Sequence, residues 1–157
     1  MSVYEQLQRL SDERFVAIYE SLAQNGYGPL DGEVAKLLKY RPQAIRGVPM
    51  AQRAKKARGM LHSKHNSQLC YELFGAYLIA KHRELVTGFL EATGVKHQEG
   101  MLEDLDANKP DVAKLDAAVA ELDGKFDPAD VTLYLALCAE QWPDVPELAA
   151  LWRKRAG

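Results

Sequence analysis

The chain has 157 residues, 47% of them apolar and 27% charged, with a net charge of −2 and two cysteines. That length buries a core of ordinary size, the composition excludes wholesale disorder, and two thiols exclude a disulfide-framed secreted domain. The charged start MSVYEQLQRLSDERF has no apolar leader, and the most apolar runs, 73–80 and 131–139, are shorter than the about 20 residues a bilayer crossing takes, so a cytoplasmic protein with no membrane association is expected.

Ser2 and Glu5 have the spacing of a capping box. Apolar residues at Leu7, Leu10, Phe15, Ile18, Tyr19 and Leu22 then predict one helix or two, because Ser11-Asp12 can start a second; Asn25-Gly26 ends it. Asp31 caps a helix through Val34, Leu37 and Leu38, and Pro42 opens a short one closed by Gly47 and Pro49. From Pro49 to His62 a helix is predicted with Met50, Ala54, Ala57 and Leu61 inward; Arg53 and Lys56 lie on one flank, Lys55 and Arg58 on the other. Asn66 or Ser67 caps a helix to about Ala80, apolar over most of its circumference and therefore central; Gly75 within it signals a close helix approach. A helix over 82–92 stops at Thr93-Gly94. Residues 95–109 have no period and form the longest loop. Pro110 opens a helix ended by Gly124, and Asp127-Pro128 opens the second central helix, broken by Pro143. A last helix carries Val145, Leu148, Leu151 and Trp152, with Trp142 and Trp152 stapling the final pair. No stretch alternates with period two. The expected fold is therefore an all-α single domain over 1–157, a compact bundle of about seven helices, mostly antiparallel hairpins, with central helices near 67–80 and 128–142.

The small net charge conceals a dipolar chain. Residues 34–71 hold nine Lys or Arg and no acid, whereas 84–147 hold fifteen acids and four bases. Within the basic stretch, VAKLLKYRPQAIRGV (34–48) resembles a helix-turn-helix DNA-binding element: Ala35 stands where the first helix packs against the second, and Val34, Leu38, Tyr40, Ile45 and Val48 take the apolar positions. The resemblance implies that Arg41, Gln43 and Arg46 face a DNA groove. Lys39 stands where the motif has a small turn residue, and Pro49 shortens the second helix.

Other chemistry is sparse. His62 and His65 share a three-residue spacing but have no third metal ligand nearby, and Glu99, Glu103, Asp104 and Asp106 lack the alternation of a calcium loop. Cys70 and Cys138 sit among apolar neighbours and read as small buried hydrophobes. No phosphate-loop, dinucleotide, zinc-protease or Cys-x-x-Cys motif is present, so no metal or cofactor is expected. The expected function is a non-enzymatic binding module in which Arg41, Arg46, Arg53, Lys55, Lys56 and Arg58 meet an anionic partner such as nucleic acid. The alternatives are a homo-oligomer that pairs basic with acidic stretches between copies, and an enzyme with a pocket near Tyr71, Tyr77 and His82.

Overall fold

The computed structural model describes residues 2–24 and 47–157. The predicted helices at 31–38 and 42–47, with the helix-turn-helix resemblance, fall outside them except for Gly47 and Val48. Among the described residues the fold is all-α, with eight α-helices: α1 (Ser2–Arg9), α2 (Asp12–Gln24), α3 (Met50–Met60), α4 (Ser67–Lys81), α5 (Arg83–Ala92), α6 (Leu115–Lys125), α7 (Pro128–Gln141) and α8 (Pro146–Ala156). None is long and apolar enough to cross a membrane.

Local chemistry sets most of these boundaries. Ser11 separates α1 from α2, its hydroxyl accepting from the Arg14 N–H at 3.2 Å. Asp127 caps α7 by accepting from the Ala129 N–H at 2.9 Å, with Pro128 just inside. The expected capping box at Ser2 does not form. Ser2 is buried, and its hydroxyl donates to the Ala136 carbonyl of α7 at 2.7 Å; Glu140 of α7 supplies the acceptor for the Val3 N–H instead. A tertiary contact thus takes the place of a local one. Asp111, not Pro110, starts the next element. It caps a 3₁₀ turn over Val112–Lys114 that leads into α6, and Gly124 lies within α6 rather than ending it.

The two apolar helices foreseen as central are α4 and α7. Eight of the fourteen residues of α7 are buried, including the unbroken run from Leu133 to Cys138. Helix α7 packs on α1, α4, α6 and α8, and α4 packs on α1, α2 and α5. Phe89 of α5 meets Tyr134 of α7 edge-on, with ring centres 5.2 Å apart. Both cysteines are free and buried; burial raises the Cys70 thiol to about 11, and Cys138 is also pushed up by burial.

One expectation needs correcting, at Gly75, and two tryptophan contacts add to the picture. Trp142 and Trp152 are both buried, and their indole N–H groups tie the end of the fold to other elements. The Trp142 indole N–H donates to the Asn108 carbonyl at 3.2 Å and anchors the 95–109 loop, while that of Trp152 donates to Gln6 at 2.9 Å and locks α8 onto α1. Gly75 does not mark a close approach: no atom from elsewhere in the fold lies within 4 Å of the place a Cβ would occupy.

Candidate functional site

Helix α3 carries four of the five described cations of the basic stretch, Arg53, Lys55, Lys56 and Arg58. Its small inward residues, Ala54 and Ala57, are fully buried with Leu61. The small footprint lets longer neighbours fold over the same face. Arg53 is buried. The Arg58 guanidinium donates to the Leu10 carbonyl, pairs with Asp12 at 3.0 Å and lies 5.5 Å over the Phe15 ring. Arg58 therefore ties α3 to the α1–α2 junction. Lys55 and Lys56 are exposed, as are Lys64, His62 and His65 in the turn that follows. Among the described residues no carboxylate pairs with Lys55, Lys56 or Lys64. Of the six expected anion-binding residues, the structure thus leaves two facing solvent, turns two inward, and Arg41 and Arg46 lie outside its described part.

The acids of 84–147 find Arg14, Arg83, Lys109, Lys125 and Arg155. The strongest of these contacts is bidentate: Arg155 meets both Asp123 oxygens at 2.7 Å and holds that carboxyl below its usual range.

The pocket expected near Tyr71, Tyr77 and His82 divides into two places. Tyr77 and His82 contact each other at 3.0 Å, and His82 lies 3.4 Å from buried Asp130 at the start of α7. Arg14 of α2 completes this cluster by pairing with Asp127 at 2.6 Å and reaching Asp130 at 3.7 Å. Burial pushes the Asp130 carboxyl up against the opposing pull of His82 and Arg14, and pushes the Tyr77 hydroxyl to about 12. The cluster joins α2, α4, α5 and α7.

Tyr71 belongs elsewhere. It lines a cavity of about 570 Å³ between α4, α5, α7 and the 95–109 loop, with Ile79, Val86, Met101, Leu102 and Leu137 as its apolar walls. Sequence reasoning placed Tyr71 at a pocket but missed this groove's outer wall, which is the loop without period. The loop is fixed by non-local bonds. The Asn108 side chain pairs with both backbone groups of Lys96. Gln98 and Met101 exchange backbone bonds across Glu99 and Gly100, both at positive φ, as in a tight hairpin turn. A Cβ on Gly100 would stand 3.1 Å from Ile79, so the loop presses onto α4 there. A second sequence signal was Gly75, which lines the groove rather than closing a helix contact.

Among the described residues no group of three His, Cys, Asp or Glu side chains is arranged to hold a metal ion. No family model, curated protein or solved structure matches the chain.

Proposed function

We propose that the chain is a non-enzymatic, cytoplasmic binding protein whose basic stretch, 34–71, engages an anionic partner, with nucleic acid as the test case. The observation that carries this reading is the unpaired, exposed trio Lys55, Lys56 and Lys64 on a stretch without a single acid. Such lysines hold mobile counterions, and a polyanion that replaces those ions gains the entropy of their release. Arg53 and Arg58 serve the fold, and Arg41 and Arg46 belong to the proposal as further cations of the same stretch. The buried free thiols suit a reducing compartment.

The test is a triple charge reversal, Lys55→Glu with Lys56→Glu and Lys64→Glu, at positions where solvent already surrounds the side chain. Wild-type protein at micromolar concentration is expected to bind a labelled duplex at low salt, and the variant to bind at least about tenfold more weakly. Absence of wild-type binding, or equal binding by the variant, contradicts the proposal. If the wild type instead self-associates in a salt-sensitive way during sedimentation and the variant does not, the basic stretch pairs with the acidic stretch of another copy.

A further inference from the structure

We propose that the groove between α4, α7 and the 95–109 loop is a binding site for a small molecule with an apolar body and a protonated amine head. This inference is independent of the basic stretch and concerns a different part of the molecule.

Three observations select the ligand. The first is size: about 570 Å³ lies within the range of small-molecule sites and is too confined for a folded partner. The second is the apolar wall. Met101 and Leu105 are two of the few large hydrophobic residues the described surface exposes, and both line this groove with Ile79 and Leu102. An apolar body seated there removes these side chains from water.

The third is the polarity of the groove's few hydrophilic side chains. Gln141 lines the groove, and its side-chain carbonyl oxygen, Oε1, is buried without a partner. A buried acceptor left without a donor destabilises the fold, and a donor from a ligand removes that penalty. Glu72 lines the groove. Among the described residues no cation lines the groove. A donor that is also positive is thus favoured over a neutral one, and a carboxylate is disfavoured.

Gly75 supplies a clean way to close the site. Gly75 lines the groove, and a Cβ placed there meets no atom from elsewhere in the fold within 4 Å. Replacing a mid-helix glycine also favours the helix. Gly75→Leu is therefore expected to fold at least as well as the wild type while filling the space a ligand needs.

The experiment titrates the full chain with 4-phenylbutylamine, 4-phenylbutanol and 4-phenylbutyrate, which share a body and differ in the head. Binding is followed by NMR shifts of the residues named above. The amine is expected to bind best, the alcohol at least about threefold more weakly and the carboxylate about tenfold or more. Gly75→Leu, with its helix content and melting temperature unreduced, is expected to abolish binding. Gln141→Leu is expected to narrow the gap between amine and alcohol while keeping the apolar contribution. Three results would overturn the site: no binding of the amine at millimolar concentration, equal binding of the carboxylate, or undiminished binding by folded Gly75→Leu.

Discussion

At Asp130, burial and charge pull in opposite directions, and burial is the larger effect. A carboxyl whose folded value is raised binds its proton more tightly in the folded than in the unfolded chain. Its contribution to stability is therefore largest in acid and declines as pH rises from the usual carboxyl value of 3.8 through the raised one. Asp130→Asn mimics the protonated form, so it should gain on the wild type as pH rises from about 4 to 7 in urea unfolding; a difference that stays flat across that range refutes the assignment. Gly75→Ala should stabilise by about 1 kcal/mol, because it adds helix propensity and meets no neighbour. Residue-level chemistry was legible where it is local. The Asp127-Pro128 cap and the burial of both cysteines could be read from neighbouring letters. The Ser2 hydroxyl could not, since its acceptor is 134 residues away, on α7.

The helices follow the same division. Both central helices announced themselves by apolar breadth, and α7 is buried on nearly every side. Leu135 in its middle is fully buried, and Leu135→Ala should cost about 2–5 kcal/mol, measurable as a lowered denaturation midpoint. What joins the helices was not legible, because it depends on which ends meet. Arg155 near the end of α8 binds both oxygens of Asp123 in α6, the Thr132 hydroxyl and the Pro128 carbonyl. Arg155→Met should cost about 1–2 kcal/mol at neutral pH. Since the Asp123 carboxyl is held low, that stabilisation is present above the usual carboxyl range and is lost as pH falls through the lowered value. The penalty of the variant should accordingly shrink in strong acid, and a penalty independent of pH would show that packing, not the ion pair, carries it. On α3, spacing identified the inward alanines but not the reach of the arginines. A long side chain beside a small one can turn inward, as Arg53 and Arg58 do.

Across the whole molecule, charge is sorted by role. The acidic stretch 84–147 uses Asp123, Asp127 and Asp130 to hold helices together, with partners drawn mainly from Arg14 and Arg155. The arginines of α3 serve the interior, whereas its lysines and Lys64 remain free in solvent. That division suits the two cations: guanidinium forms planar, multiply bonded contacts in the fold, and ammonium is a hydrated point charge open to a mobile counterion or a polyanion. The apolar groove lies on the α4–α7 core, away from Lys55, Lys56 and Lys64. The most direct measurement is the affinity of the wild-type chain for a labelled DNA duplex across a salt series from about 50 to 200 mM. Three free lysines predict that log K falls against log salt with a slope of about −2.7 or steeper. A flat dependence, or no binding at the lowest salt, would contradict a function carried by the basic stretch.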